Sequence, residues 1–535
     1  MLHDNLILIL ILLLGVTLLV MVGQKLKISY PIFLVLAGLI IGFIPGTPHI
    51  KIDPNIVFLL FLPPLLYEAA WFTSWKDFWE YKGAIFLMAV GLVFITSVAV
   101  AYASVAFIPG FTLALGFLLG GIISPPDAVA AAAVLKGMKV PKMVSSLLEG
   151  ESLVNDASSL IVFKFALVSV LTGTFVIQDA AVDFVSVAGC GILIGVAVGG
   201  IFYAIHRWLP TTENIDTVLT LLTPYFMYIV AEHFEASGVM AVVSGGLLLS
   251  SQSHVILTSN SRIKTVSVWS ALTFMLNGVV FILIGLALPD IVGDLGPDYP
   301  ILKAIGYGVG ISILAFLVRF VWLFSTARIT SFFNKKTRLR YQDMTWHSSV
   351  VIVYAGMRGV VSLAAALSIP VMISEQVHFP LRNLILFITF VVIFVTLVIQ
   401  GFTLPLVIKL LKIPEPKHKL SEQEQANQIK LRLIDLSLDK LKTDYQHQCT
   451  HNELMVNLKA ELQHSLMEKK DTLKAFKNGE IDKGELKAYH EIMLNLIHIQ
   501  RDELHHLKSN KNYDDDIIRK EEWRLDLEEL SITSI

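Results

Sequence analysis

Glu151, Ser152, Asn155 and Asp156 fall at i, i+1, i+4 and i+5 in the segment Glu151-Ser152-Leu153-Val154-Asn155-Asp156-Ala157-Ser158-Ser159, which runs on into Leu160-Ile161-Val162-Phe163. On a helix they form one polar stripe, because residues three and four apart are neighbours. The run around them is apolar and long enough to cross a bilayer. A charge at mid-membrane depth costs roughly 2.5–3.5 kcal/mol on insertion scales. A carboxylate kept at that cost points to a bound cation or proton, so Asp156 is the candidate cation- and proton-binding group, with Na⁺ as the metal ion. Ser152, one turn before it, can add a hydroxyl oxygen, the ligand type that hard cations prefer. The competing reading is a buried polar cluster that only holds helices together. Asn155 suits that role; a free Asp beside it suits it poorly.

Other candidates surround this stripe. Gly120-Gly121-Ile122-Ile123-Ser124-Pro125-Pro126-Asp127 carries two prolines in mid-span, each removing a backbone donor and clashing with the preceding turn. The helix should unwind there. Ser124 and the carbonyls freed around Pro125 and Pro126 could ligate a cation, and Asp127 could instead stabilise the positive N-terminal end of a half-helix. Gly356-Met357-Arg358-Gly359 places a glycine-flanked charge in another apolar run. Arg358 needs a partner, and Glu151 is the candidate; neutralising half-helix carbonyl ends is a compatible role. A Glu151–Arg358 pair would leave Asp156 without a permanent counter-ion. Glu68 lies near the end of its span beside aromatic anchors, as an accessory ligand or as an interfacial carboxylate that reaches water. Asn277 is assigned to helix packing, and Lys164 to snorkelling or pairing.

The rest of the chain must position these groups in a membrane. Of 535 residues, 54% are hydrophobic and only 16% charged, well below the quarter usual in soluble proteins. The fold class is an all-α membrane protein. Apolar runs of spanning length fall near 5–22, 29–46, 55–71, 83–107, 111–134, 145–172, 182–205, 214–232, 237–251, 266–288, 301–326, 348–370 and 383–411, thirteen in all. The eighth and ninth are short enough to be one bent element, which would make twelve. Basic residues collect in alternate connections: Lys25 and Lys27; Lys76 and Lys82; Lys136, Lys139 and Lys142; Arg207; Arg262 and Lys264; and Arg328, Lys335, Lys336, Arg338 and Arg340. The 289–300 loop holds Asp290, Asp294 and Asp298 and no Lys or Arg. The positive-inside rule then puts the N-terminus outside and the C-terminus inside, which requires an odd number of spans. The N-terminus has no basic n-region and reads as a retained first span. The broken fifth and twelfth spans are seven apart, as in two inverted six-helix repeats joined by the seventh span.

Residues 1–412 are therefore read as a transmembrane domain and 413–535 as a cytosolic helical C-terminal domain. Ser421-Glu422-Gln423-Glu424 has capping-box spacing. It opens a helix carrying Ile429, Leu433, Leu436 and Leu441; further helical patterns surround Leu454, Leu458 and Leu462, and Ile492, Leu496 and Ile499, with a turn between Gly479 and Gly484. The two cysteines, Cys190 and Cys449, exclude a disulfide framework or a cysteine metal site. His505-His506 and Asp514-Asp515-Asp516 match no metal signature, and there is no Walker-type loop and no hydrolase motif. The chain is read as a transporter rather than an enzyme, needing no cofactor beyond the Na⁺ and H⁺ it carries. The rivals are a gated cation channel, for which no filter-like repeat is visible, and a pH-sensing membrane protein that signals through its tail.

Leu62-Pro63-Pro64-Leu65-Leu66-Tyr67-Glu68, Ser124-Pro125-Pro126-Asp127-Ala128-Val129, Glu149-Gly150-Glu151-Ser152-Leu153-Val154-Asn155-Asp156 and Gly356-Met357-Arg358-Gly359 resemble, in that order, the signature segments of CPA1-type monovalent cation/proton antiporters, the bacterial NhaP-like and animal NHE-like exchangers. The resemblance covers roughly residues 1–412, and the tail looks like the bacterial branch. It implies thirteen spans, a homodimer in the plasma (inner) membrane, alternating access by an elevator-like motion, and a role in pH and sodium homeostasis. It also implies Asp156 as shared carrier of cation and proton, Ser152 and Glu68 as ligands, a Glu151–Arg358 pair, and Asn155 as structural partner of Asp156. The Asn-Asp pair implies electroneutral exchange. The implied partners are Na⁺ or Li⁺ or K⁺, H⁺, the bilayer and a second copy, with no nucleic acid. The family commonly has Thr-Asp-Pro at the fifth-span break, whereas Pro126-Asp127-Ala128 stands here, a departure that bears on Na⁺ versus K⁺ preference.

Overall fold

Apolar residues occur all round the long helices of the first 411 residues, as suits segments surrounded by lipid and by one another. In the computed structural model the described residues are 2–45, 54–135, 138, 140–173, 177–293, 295, 299–333, 346–374, 377–411, 422–447, 452–478, 483–508 and 515–533. Lys136, Lys139, Asp294, Asp298, Lys335, Lys336, Arg338, Arg340, Ser421, Cys449, Gly479 and Asp514 lie outside them. The chain divides into two units, Met1–Glu415 and Pro416–Ile535.

The first unit runs α1 (Leu2–Lys25), α2 (Tyr30–Gly42), α3 (Pro54–Phe72), α4 (Trp75–Phe86), a π-helical segment Leu87–Gly91, α5 (Leu92–Phe107), α6 (Leu113–Ile123), α7 (Ala128–Leu135), α8 (Lys142–Thr172), α9 (Ile177–Trp208) and α10 (Glu213–His233). It continues with α11 (Gly238–Ser251), α12 (Ser253–Ile256), α13 (Ser259–Leu286), α14 (Leu288–Gly293), α15 (Ile301–Phe333), α16 (Trp346–Tyr354) and α17 (Val360–Leu367). A short antiparallel hairpin, β1 (Met372–Ser374) with β2 (Val377–His378), precedes α18 (Arg382–Phe394), a second π-helical segment Val395–Gln400 and α19 (Gly401–Leu411). Among the described residues nine helices are long and apolar enough to cross a membrane, and shorter apolar helices at Tyr30–Gly42, Leu59–Phe72 and Gly238–Ser251 accompany them.

Local chemistry sets the boundaries. Thr112, Ser237 and Thr258 cap their helices by accepting from the amides of Leu115, Met240 and Ser261 at 3.3, 3.2 and 3.2 Å. Ser237 also makes the eighth and ninth apolar runs two separate helices. Gly173, at φ 74°, ends α8 in the left-handed conformation that glycine adopts without strain. The two double-break signals of the sequence become real interruptions: residues 124–127 separate α6 from α7, and residues 355–359 separate α16 from α17.

α6 lies close against α5. A β-carbon at Gly120 would stand 2.7 Å from the Ser97 backbone. Gly120→Val should cost about 1–3 kcal/mol through overpacking. The check is a lowered melting temperature in detergent; an unchanged one would contradict this packing. On another side of the bundle, α3, α10, α11 and α13 share an apolar cluster in which the Tyr67 ring lies between Trp71 and Trp269, with centroids 5.6 and 5.3 Å away. α9, α10 and α13 meet at a buried polar junction: His206 Nδ1 lies 2.9 Å from Asp216 Oδ1, and Ser261 Oγ donates to Asp216 Oδ2 at 2.7 Å.

The second unit has four helices among its described residues: α20 (Glu422–Thr443), α21 (Glu453–Asn478), α22 (Lys483–Lys508) and α23 (Asp515–Thr533). α20 packs with α21, and α22 with α23. Arg501 ties the second pair by donating to Asp526 and Glu529. Of the apolar residues expected on the first tail helix, Leu441 is buried at 8% exposure, whereas Ile429, Leu433 and Leu436 remain more than half exposed.

Candidate functional site

The two breaks are built around each other. The amide of Asp127 donates to the Met357 carbonyl at 2.6 Å. Asp127 Oδ1 accepts from the amides of Val129 and Ala130 at 2.9 and 3.3 Å, capping α7 at its positive end. The same carboxylate packs onto Gly359, where any β-carbon would overlap Oδ2. Glycine is needed at that position for this close approach.

Arg358 serves the opposite polarity. Its Nε donates at 3.1 Å to the carbonyl of Ile123, the last residue of α6, and its Nη1 donates at 2.5 Å to Gly356. Its amide donates to Thr396 Oγ1 at 3.0 Å, a hydroxyl supplied by the second π-helical segment. The guanidinium thus sits on carbonyls that the breaks release, where negative partial charge collects.

The expected Glu151–Arg358 pair is not what forms. Glu151 is held by Arg319 of α15, whose Nη1 and Nη2 donate to Oε1 and Oε2 at 2.5 and 2.7 Å. Arg319 Nε and Nη2 also donate to the Ile352 carbonyl, at 3.3 and 3.2 Å. Both side chains are almost completely buried. The physical reason is twofold: break carbonyls already occupy Arg358, and α15 presents a fork that matches a carboxylate bidentately. Arg319 was missed because it stands alone in Phe316-Leu317-Val318-Arg319-Phe320-Val321, with no glycine or proline beside it. Its charge in an apolar span was the signal that could have found it.

Asp156 is 8% exposed, and its carboxylate has no ion pair or hydrogen bond among the described residues. It opens onto a cavity of about 820 Å³ lined by residues of α2, α3, α7, α8, α13 and α17. Ser152 and Glu68 line this cavity with it. Ser152 Oγ accepts from the Ala128 amide at 3.3 Å and keeps a second lone pair. Asn155 Nδ2 donates to the Pro126 carbonyl at 3.4 Å, tying α8 to the first break, while Asn155 Oδ1 is buried with no partner among the described residues. Pro126 lines the cavity, but its freed carbonyl faces Asn155. Ser124 turns back to the Gly121 carbonyl at 3.3 Å and is not among the cavity's lining residues. The structure therefore brings Asp156, Ser152, Glu68, Pro126 and Asp127 to one cavity and leaves Ser124 outside it. Asn277, assigned to helix packing, lines the cavity too. Lys164 pairs with Glu232 at 2.9 Å.

Chemically, this is a nearly buried carboxylate beside a hydroxyl, sharing its cavity with the carboxylates of Glu68, Asp127 and Glu149, with the neighbouring Glu151 charge already compensated. It can hold one proton or one small cation. Among the described residues no group of three or more His, Cys, Asp or Glu side chains forms a resident metal centre.

Residues 9–410 match the family described as sodium/hydrogen exchanger, transmembrane. The chain belongs to the sodium/hydrogen exchanger family. Its CPA1-type signature segments are thus those of a multi-pass membrane transporter family rather than an enzyme family. Among exchanger relatives, the "Sodium, potassium, lithium and rubidium/H(+) antiporter" of Bacillus subtilis is 35% identical over 387 residues, 71% of this chain. That match spans only 58% of the Bacillus subtilis protein. The "Na(+)/H(+) antiporter ApNhaP" of Aphanothece halophytica is 32% identical, over 72% of this chain and 70% of its own. The "Uncharacterized Na(+)/H(+) exchanger YjcE" of Escherichia coli is 29% identical over 94% of this chain and 93% of its own, tail included. The solved sodium proton antiporter MjNhaP1 of Methanocaldococcus jannaschii superposes with a TM-score of 0.60 at 18% identity, over 77% of this exchanger chain and 99% of its own, which shows a shared fold.

Proposed function

We propose that the protein is a secondary antiporter exchanging Na⁺, and also Li⁺ or K⁺, for H⁺. The observation that carries this reading is Asp156: a mid-helix carboxylate with access to a cavity and, among the described residues, no ion-pair partner, beside a Glu151 whose charge Arg319 already balances. One carboxylate holds either the proton or the cation, and that competition couples the two fluxes. Ser152 and Glu68 supply further oxygens, Asn155 and Asp127 fix the first break, and Arg358 fixes the second. Ser124 supports the break rather than the ion.

The finer reading follows from the same residues and from the family. Thirteen spans in two inverted repeats are supported by the paired breaks at 124–127 and 355–359, and the N-outside, C-inside orientation by the alternation of basic loops. A homodimer in the plasma membrane, an elevator-like alternation of access to the cavity, a cytosolic tail and a role in pH and sodium homeostasis rest on family membership. Asn155 in place of a second carboxylate supports electroneutral exchange. The name of the Bacillus subtilis relative extends the ions worth testing to rubidium.

Dissipation of ΔpH in everted vesicles on adding Na⁺, Li⁺, K⁺ or Rb⁺ tests this reading. Cation-dependent, saturable alkalinisation is expected; none with any of the four would reject it. The pH dependence has a fixed sign. Protons occupy the carboxylate below its pKa and exclude the cation, so the apparent cation KM should rise as pH falls, approaching about tenfold per pH unit on the acid side. A KM independent of pH would contradict shared occupancy.

A further inference from the structure

Buried hydroxyls in this bundle are commonly satisfied by the helix that carries them. Thr223 Oγ1 donates to Leu219 O at 2.7 Å, Ser312 Oγ to Gly308 O at 2.7 Å, and Thr396 Oγ1 to Val392 O at 2.8 Å. Two hydroxyls on the cavity wall do not follow this pattern. Thr273 on α13 is 9% exposed and Ser362 on α17 is 2% exposed, and among the described residues neither oxygen has a hydrogen-bond partner. Both line the cavity that holds Asp156. Other orphaned hydroxyls, such as Ser97 and Ser104, lie away from it.

Ser362 is in the first turn of α17, just past the break at 355–359, and α17 packs against α3, α8 and α13. Gly359 and Val361 line the cavity beside it. The N-terminal end of α17 would repel a cation, but Asp127 packs onto Gly359 at that end and opposes its partial positive charge. Ser362 therefore offers a neutral, hard oxygen of the kind alkali cations take. Because it is neutral, it can strengthen cation binding without altering the charge count of the exchange. Thr273 offers the same from α13.

We propose that Ser362 is a cation-binding residue of the cavity, its hydroxyl replacing a water of the alkali cation on the way to Asp156, with Thr273 of α13 doing the same. This rests on the exchanger reading above. What separates these two from orphaned hydroxyls such as Ser97 and Ser104 is that their residues line the cavity that holds Asp156.

The test compares wild type with Ser362→Ala and Ser362→Thr in proteoliposomes, together with melting curves in cation-free buffer and in Na⁺. Ser362→Ala should raise the Na⁺ KM about three- to tenfold, the weight of one uncharged ligand, while Vmax stays within about twofold. Its melting temperature without cation should not fall, because no protein hydrogen bond is lost, but its stabilisation by Na⁺ should shrink. Ser362→Thr should recover most of the wild-type KM, and Thr273→Val should reproduce a milder form of the Ala phenotype. An unchanged KM with full Na⁺ stabilisation in Ser362→Ala would overturn the proposal. So would a lowered cation-free melting temperature with a fall in Vmax at constant KM, the mark of a structural hydroxyl. Wild-type vesicles with no cation-dependent proton flux would instead remove the exchanger reading, and this inference with it.

Discussion

Replacing Asp156 with Asn should bring cation-dependent proton flux in proteoliposomes down to the level of empty vesicles while the protein still folds. The substitution keeps the shape of the side chain and removes a charge at the site that, among the described residues, no ion pair balances. Glu151 and Arg319, which hold α8 against α15, do not depend on it. Nor does the Asn155–Pro126 contact. Removing an uncompensated, nearly buried charge relieves a desolvation cost, so the melting temperature in cation-free buffer near neutral pH should hold or rise. Asp156→Glu keeps the charge and shifts it by one methylene; it should retain measurable exchange with altered cation preference. Flux that persists in Asp156→Asn would place the carrier elsewhere. A loss of flux accompanied by loss of folding would make Asp156 a structural residue.

The second large effect belongs to Arg319. Taking away one partner of a buried, hydrogen-bonded ion pair leaves the other charge stranded, at a cost of about 3–5 kcal/mol. Arg319→Met and Glu151→Gln should each lower expression and melting temperature sharply, and the double variant should be less destabilised than the sum of the two. The cycle between positions 151 and 358 should give a coupling below about 0.5 kcal/mol. Arg358 makes its hydrogen bonds to Ile123 and Gly356 carbonyls, and truncating it should loosen the two breaks without stranding Glu151. Strong coupling of 151 with 358 and none with 319 would reverse this assignment.

The difference between those two arginines shows how much was legible in the sequence. Local signals were strong where backbone chemistry is local. Pro125 and Pro126 cannot continue a helix, and the structure interrupts it there. Gly356 and Gly359 mark the second break for a different reason: glycine favours a helix less, and Gly359 leaves room for the Asp127 carboxylate. The stripe from Glu151 to Asp156 is a matter of helical spacing, and Ser152 and Asp156 share one cavity accordingly. What stayed hidden depends on which distant helix is adjacent. Arg319 lies 168 positions from Glu151 in the chain, and nothing in its apolar surroundings marks it as the partner. For Arg358 the sequence offers both a pair with Glu151 and a role at half-helix carbonyl ends, and the structure shows the second, at Gly356 of its own break and Ile123 of the other. Ser124 followed the same logic: a hydroxyl at a break can serve a cation or the preceding turn, and its Oγ is bonded to Gly121. Thr273, Ser362 and Asn277 carry no local pattern at all. Their significance comes only from the cavity that α13 and α17 line together with α8.

The family match explains why the resemblance of four short segments was informative. Each segment contributes one part of a single arrangement: Glu68 on a cavity wall, Asp127 at one break, Asp156 on the intervening helix, and Arg358 at the other break. Chance similarity would have no reason to bring four separated segments to one place.

The most direct measurement is calorimetric titration of the purified protein with Na⁺ in two buffers of different ionisation enthalpy, at a pH where Asp156 is largely protonated. If one carboxylate holds either guest, each Na⁺ bound should release about one proton, and Asp156→Asn should bind Na⁺ weakly and release none. Na⁺ binding to the wild type with no proton release, or unchanged release in Asp156→Asn, would contradict the account.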